Sequence, residues 1–389
     1  MRSMKAEKNQ KSEKVLVAMS GGVDSSVAAA LLKEQGYFVV GVFMKFWSEP
    51  VCGKNQIPNT KYQIRDTNRC CSGDAYEAAK SVCAKLDIPF RALDAQREFK
   101  RAVVDYFLKE YKAGRTPNPC VRCNEEIKFK LLLETAKKWG MDYVATGHYA
   151  RKSEFRIQNS EFRNPILKLF TAKDKEKDQS YFLHTLTQEQ LRHILFPIGD
   201  YAKKEVRKLA KKWGLPTAER PESFEVCFVP DRRMADFLAR HINVRPGRIV
   251  DEKGRKIGEH GGLSLYTIGQ RQGINIGGTG PYYVVAKNPA KNELVATNNP
   301  RSSLLWRSYL VAEKINWISG LAPKFPFKCL ARIRYRQPLQ YCRIEKSEIR
   351  NPKSETIKVI FNKPQKAITS GQSVVFYDGR EVLGGGAIT

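Results

Sequence analysis

Three cysteines and one serine–glycine turn carry the residue types most able to do chemistry in this chain. The turn, Ser20-Gly21-Gly22-Val23-Asp24-Ser25-Ser26, joins an apolar run (Val15 to Met19) to an alanine-rich run ending at Leu32. A parallel strand buried on both faces reads as a continuous apolar run, and a glycine pair lets the backbone turn sharply where it ends. Asp24, Ser25 and Ser26 suit the N-cap and first turn of a helix, whose unpaired N–H groups then face the turn. Strand, glycine turn and helix start together form a cradle for phosphate. The turn is not a Walker A loop, because no Gly-Lys-Ser/Thr follows, and its glycine spacing does not fit the dinucleotide-binding fingerprint. An ordinary capped turn between strand and helix is the plainer alternative.

Cys120 and Cys123 form a C-x-x-C in Gly114–Phe129, where Pro117 and Pro119 hold an extended loop before a helix. A cysteine at a helix N-terminus flanked by Arg115, Arg122 and Lys128 is expected to be acidified and nucleophilic. Half a zinc site is the competing reading, but zinc needs four ligands and no second pair stands at finger spacing. Cys227 lies in an expected apolar strand within Pro221–Pro230 and reads equally as a buried, inert thiol. The turn Thr146-Gly147-His148-Tyr149 follows a strand, so it faces the crevice at the strands' carboxyl ends. Gly147 would let an adenine ring approach the backbone; His148 reads equally as a packed histidine. In Lys177–Leu183, Gln179 and Tyr181 are candidates to contact a base or phosphate, with a capping Asp178 as the plainer reading.

These residues need a scaffold, and the periodicity supplies one. Strands are expected at Val15–Met19, Tyr37–Met44, Ile88–Leu93 and Asp142–Ala145. Helices are expected after Ser26 and over Asp74–Leu86, Arg97–Tyr111, Lys128–Trp139 and the basic Lys203–Trp213. Such alternation predicts a doubly wound parallel α/β domain. Beyond about residue 231 it stops: a strand at Gly261–Tyr266 and a hairpin over Pro281–Thr297 predict a small central domain. Strands at Lys328–Tyr335, Thr356–Asn362 and Ser373–Gly379 predict a C-terminal β-barrel. The expected division is a basic extension (1–13), an α/β domain (14–227), a central domain (228–297) and the barrel (298–389), with residues 45–69 as a substrate-facing loop.

A net charge of +28 and a pI near 9.7 favour a polyanionic partner, since neutralised phosphates release counterions. Arg332, Arg334, Tyr335 and Arg336 interleave basic and aromatic groups on an expected strand, a surface suited to nucleic acid. Nine irregularly spaced cysteines do not resemble a secreted disulfide framework. No apolar run approaches the roughly twenty residues that span a bilayer, so no membrane role and a cytoplasmic location are expected.

SGGVDSS on its own resembles the loop of PP-loop ATP pyrophosphatases. With TPNPCVRCN, TGHYAR, KDQSYFL, EVCFVP, YTIGQRQGI, RYRQP and GQSVVFYDG in that order, the chain resembles the bacterial tRNA 2-thiouridylase family from about residue 14 onward. The resemblance implies an N-terminal PP-loop domain, a small central domain and a C-terminal barrel. It implies ATP and Mg2+ as cofactors, tRNA as substrate with no role for DNA, and a sulfur-donor protein as partner. The reaction implied is thiolation of the wobble uridine of tRNAs for Lys, Glu and Gln. Ala18, Met19, Ser20, Gly21, Gly22, Val23, Asp24, Ser25, Met44 and Gly147 would bind ATP, with Ser26 at the pyrophosphate and Asp24 also at the magnesium. Cys227 would carry sulfur as a persulfide and Cys123 would act as nucleophile, the two ending as a disulfide. Asn118, Pro119 and Cys120 would touch the target base, and His148, Lys177, Asp178, Gln179, Arg334, Tyr335 and Gln372 would touch tRNA.

Cys120 stands where the best-known members carry Asp, so a [4Fe–4S] cluster held by Cys120, Cys123 and Cys227 is a second sulfur route. Phe224 departs from an expected polar residue, and Cys70 and Cys71 have no assigned role. Other PP-loop tRNA enzymes (4-thiouridine or 2-thiocytidine synthases, or lysidine synthetase) and a non-catalytic RNA-binding relative are the alternatives.

Overall fold

The computed structural model describes residues 12–49, 72–155, 165–222, 226–229, 234–274, 276–277, 280–347 and 355–389. Cys70, Cys71, Phe224, most of the expected 45–69 loop and nearly all of the N-terminal extension lie outside the described residues.

The first sheet is parallel, in the order β3 (Phe90–Asp94), β2 (Phe38–Lys45), β1 (Lys14–Ala18), β4 (Tyr143–Ala145) and β7 (Ile194–Leu195). Alternation along β1 divides its side chains between two cores. Leu16 joins the cluster holding Val40, Val42 and Val144, while Val15 and Val17 join Val39, Phe43 and Ala145 on the other face. Helices cover both faces, as expected of a doubly wound sheet. α1 (Val23–Glu34) carries an almost unbroken buried surface because Val27, Ala28 and Leu31 also pack on Val206 and Ala210 of the helix Lys203–Lys212. α2 (Gly73–Lys85) is capped by the Ser72 side chain, which accepts from the Ala75 N–H.

The expected helix at Lys128–Trp139 is longer than its sequence suggests. It starts at Pro119, continues through a π-helical stretch at Asn124–Leu131 and ends at Lys138. Asn118 starts it by accepting from the Val121 N–H, and proline at the first helical position gives up no hydrogen bond. Such π-helical turns are rare and cluster at functional sites.

The central sheet runs β10 (Tyr283–Asn288), β11 (Glu293–Thr297), β8 (Gly247–Val250), β9 (Lys256–His260). The expected hairpin is therefore present as β10–β11, but the expected strand at Gly261–Tyr266 contains a short 3-10 turn, Leu263–Leu265, instead.

The C-terminal strands β12 (Trp306–Trp317), β13 (Phe327–Arg332), β14 (Gln340–Lys346), β15 (Thr356–Lys366), β16 (Ser373–Asp378) and β17 (Glu381–Ile388) close into a barrel through β12–β17 pairing. The hairpin of β5 (Ala150–Phe155) and β6 (Ile166–Thr171) adds to the barrel sheet along β17, so the α/β region and barrel share a β ladder. No helix among the described residues is long and apolar enough to cross a membrane.

His184 is buried beside this junction, 3% exposed, and neither ring nitrogen has a partner among the described residues. Burial pushes its imidazole down to about 4 from an ordinary 6.5. Between those values the unfolded chain binds the proton and the folded one does not, so stability present above pH 6.5 is lost as pH falls towards 4. His184→Leu removes that proton uptake and the orphaned nitrogens together. The wild type is expected to lose about 2 kcal/mol more than the variant between pH 7 and 5 in chemical denaturation. Equal losses in both proteins would show that His184 is not the titrating group.

Candidate active site

The loop after β1 is held by its own hydroxyls. Ser20 N–H donates to Ser25 Oγ at 3.2 Å, and the Ser25 and Ser26 hydroxyls donate to the Gly22 carbonyl at 3.1 and 2.8 Å. Thr217 Oγ1 donates to Ser26 Oγ at 2.8 Å, tying the loop to the segment after the basic helix. The N-cap is Gly22, not one of the expected polar residues, and no side chain caps this helix start. Gly21, at φ +72°, passes so close to α2 that a Cβ there would lie 2.3 Å from the Ala75 oxygen. Met19 and Val23 are buried, 2% and 3% exposed, so they can offer a ligand little beyond their backbone.

Gly147 has a tighter role than the one expected of it. A Cβ there would meet the Ser25 nitrogen at 2.7 Å and the Asp24 carbonyl carbon at 2.9 Å. The absent side chain lets the turn after β4 lie directly on the phosphate loop. Tyr149 then donates its hydroxyl to Asp24 Oδ1 at 2.8 Å, and burial followed by the Asp24 charge raises the phenol so that it stays a donor.

The cysteine-bearing segment departs from expectation. Cys120 and Cys123 lie inside the helix that begins at Pro119, not ahead of it; Cys120 is exposed and Cys123 is 8% exposed. Cys123 belongs to the core cluster with Met44, Phe46 and Phe99, and Cys227 packs against the same cluster. Cys227 sits in a turn rather than a strand, between Val226 and the buried Phe228. Two of the flanking cations expected to activate a thiol are already engaged. Arg115 is clamped by Glu110, with both hydrogen bonds at 2.6 Å, and Arg122 pairs with Glu125 and Glu126 at 2.8 and 3.1 Å. Among the described residues no group of three or more His, Cys, Asp or Glu side chains is arranged to hold a metal ion. A [4Fe–4S] site on Cys120, Cys123 and Cys227 is not shown among the described residues.

Barrel and central domain grip the loop ahead of Cys120. Gln372 Nε2 donates to the Thr116 and Pro117 carbonyls at 2.9 and 3.1 Å, and Thr116 N–H donates to the Ser370 carbonyl at 3.0 Å. Thr116 Oγ1 lies 3.2 Å from Thr267 Oγ1 of the central domain. Gln372, expected at tRNA, is hydrogen-bonded to this loop in the structure.

The residues expected to meet tRNA divide into buried and accessible sets. His148 is 7% exposed, hydrogen-bonded to Thr146 at 2.8 Å, and held well below its ordinary pKa by burial and then by Lys128. Asp178 is 5% exposed and shapes its turn by accepting from Ala172 N–H, Ser180 N–H and the Ser180 hydroxyl. Neither presents a surface to a macromolecule in this state. Gln179 is committed to the turn after β4, its side chain accepting from Tyr149 N–H at 3.0 Å and its backbone N–H donating to the Tyr149 carbonyl at 2.8 Å. Arg334, Tyr335 and Arg336 lie in a turn after β13 rather than on it. That turn docks on the Lys177–Leu183 segment. Tyr335 packs on Phe182 with ring centroids 4.6 Å apart, and Arg336 lies over Tyr335 while donating to the Glu176 carbonyl at 3.2 Å. Two separated motifs therefore form one basic, aromatic surface.

Lys203, Glu222 and Tyr149 are site residues that sequence reasoning misses. Lys203 Nζ sits 2.7 Å from both Asp24 carboxylate oxygens and 3.3 Å from Glu222, which also binds Lys177 at 2.6 Å. Burial alone would raise Glu222, but Lys177 and Lys203 outweigh it and hold the carboxyl below its ordinary value. No local signal marks Lys203, one lysine among many in a basic helix.

Three family models match the chain in succession. One described as the tRNA methyl transferase HUP domain covers residues 13–231, a tRNA methyl transferase PRC-barrel domain covers 235–298, and an aminomethyltransferase β-barrel domain covers 307–388. A protein of Roseiflexus castenholzii named tRNA-specific 2-thiouridylase MnmA is 45% identical over 390 residues, spanning 96% of this chain and 99% of its own. One of the same name from Geobacillus thermodenitrificans is 44% identical over 377 residues, spanning 96% and 94%. Likeness to solved structures is distant: a 4-thiouridine synthetase in complex with RNA and ATP overlaps 59% of this chain and 50% of its own, with TM-score 0.33 and 16% identity.

Proposed function

Because the chain belongs to the tRNA-specific 2-thiouridylase (MnmA) family, as its matches over nearly its full length show, we propose a division of catalytic labour among its residues. The family reaction is formation of 2-thiouridine in tRNA by a PP-loop enzyme that uses ATP. The substrate position is the wobble uridine of tRNAs for Lys, Glu and Gln.

Carbon 2 of uridine resists substitution because its oxygen is a poor leaving group. Attack of that oxygen on the α-phosphorus of ATP breaks the bond to the bridging oxygen, releases pyrophosphate and leaves an O-adenylated uridine. Backbone N–H groups at the start of α1 face the developing phosphate charge. Asp24 is the carboxylate at the loop that would hold Mg2+, whose chemistry is to neutralise that charge. Sulfur arrives on Cys227 as a persulfide from a sulfur-donor protein. The Cys123 thiolate attacks Cys227 Sγ, a Cys123–Cys227 disulfide forms, and the outer sulfur leaves with the electron pair as sulfide. The sulfide adds to carbon 2 and AMP departs. The disulfide is then reduced by an external thiol.

The observation that carries this scheme is the packing of Cys123 and Cys227, distant in sequence, on one apolar cluster with Met44 at the end of β2. Apolar surroundings keep water from the adenylated carbon. Asn118 and the exposed Cys120 flank the buried Pro119 at the same helix start, where the base would enter. The Lys177 and Tyr335 surface takes the flanking tRNA.

The test is nucleoside mass spectrometry on unmodified tRNA incubated with the protein, ATP, Mg2+ and a persulfide donor. ATP-dependent 2-thiouridine at the wobble position is expected, together with a Cys123–Cys227 peptide in the non-reduced digest. Sulfur at another atom, or none, would overturn the proposal.

A further inference from the structure

Lys203 is a buried cation beside the phosphate loop with no task in the scheme above. It is 8% exposed, and its Nζ bridges both carboxylate oxygens of Asp24 at 2.7 Å, with Glu222 at 3.3 Å as second anchor. Its backbone is fixed by donation of the Lys203 N–H to Asp174 Oδ2 at 2.8 Å. Lysines are almost never this buried unless paired, and the partner here is the acidic residue of the SGGVDSS turn itself.

Asp24 lies in the first turn of α1, where N–H groups and the positive end of the helix dipole already favour an anion. An entering polyphosphate brings more negative charge to that place than one carboxylate does. A lysine ammonium on a flexible stem is a point charge suited to phosphate oxygens. We propose that Lys203 is a phosphate-binding residue of the nucleotide site, exchanging its Asp24 ion pair for the β- and γ-phosphate oxygens of ATP and so opening Asp24 to the accompanying magnesium. Glu222 keeps the stem in place during the exchange. The inference rests on the reading that Ser20–Ser26 binds ATP.

Calorimetric titration of the full-length protein with ATP, pyrophosphate and AMP tests it. Wild-type protein that bound neither ATP nor pyrophosphate would sink the nucleotide reading itself. With that binding in hand, Lys203→Met is expected to weaken ATP and pyrophosphate by about 10- to 100-fold and AMP by less than about 3-fold. Should Lys203→Met fail to fold, Lys203→Gln keeps a donor towards Asp24 on a slightly shorter stem and removes the charge. The double variant with Asp24→Asn separates grip from neutralisation. If Lys203 served only to neutralise Asp24, the double variant would regain wild-type pyrophosphate affinity in Mg2+-free buffer; continued weak binding supports the proposal. Regained affinity, unchanged affinity in the single variant, or an equal loss for AMP would each overturn it.

Discussion

Cys227→Ser is expected to bind ATP and tRNA as the wild type does and to form 2-thiouridine at least about 10^3-fold more slowly. The replacement is close in volume, and Cys227 sits in a half-buried turn beside Phe228, so packing changes little. What is lost is the atom: a serine oxygen cannot carry sulfur as a persulfide or close a disulfide with Cys123. Cys123→Ser should also stop turnover, but for a different reason. It leaves Cys227 able to accept sulfur, and a trapped persulfide on Cys227 should then be visible by mass. Cys120→Ser separates the roles further, because an exposed thiol outside the cluster is not needed for this transfer. Thiolation by Cys227→Ser within tenfold of wild type would end the persulfide assignment. Loss of activity in Cys120→Ser equal to that in the other two would point instead to three thiols acting together.

Gly147→Ala should be damaging through geometry rather than chemistry. The new methyl would lie 2.7 Å from the Ser25 nitrogen and 2.9 Å from the Asp24 carbonyl carbon, both backbone atoms. Something must shift, and neither a strand end nor a helix start yields easily. Overpacking of this kind costs about 1–3 kcal/mol, and the displaced loop should bind ATP at least about 10-fold more weakly. Gly73→Ala in α2 is the control, since nothing lies within 4 Å of a Cβ there. Calorimetry with ATP and thermal melts of both variants give the comparison. Wild-type ATP affinity in Gly147→Ala would show that the turn after β4 does not position the loop.

Elements that a local pattern can encode are legible in the amino-acid sequence. The apolar run of β1, the alternation of strands and helices through β4, and the β10–β11 hairpin all follow from periodicity and turn chemistry. Strand β17 has no such signature, because Glu381–Ile388 carries three consecutive glycines and is held as a strand by its partners β16, β6 and β12. The Cys120 helix reads as starting later than it does, because the Asn118 cap and Pro119 resemble a loop until the helix behind them is in place.

At the site, residue types are legible and partnerships are not. SGGVDSS announces a phosphate loop, and C-x-x-C with a distant cysteine announces thiol chemistry. That Arg115 is spent on Glu110, that His148 is buried, and that Gln372 holds the loop before Cys120 are facts of folding. So is the meeting of Lys203 with Asp24, residues brought together only when the basic helix packs on α1. Charge and hydrogen-bonding capacity belong to a residue wherever it sits. Which atom satisfies them, and whether water can reach it, depends on long-range packing that local sequence spacing does not encode.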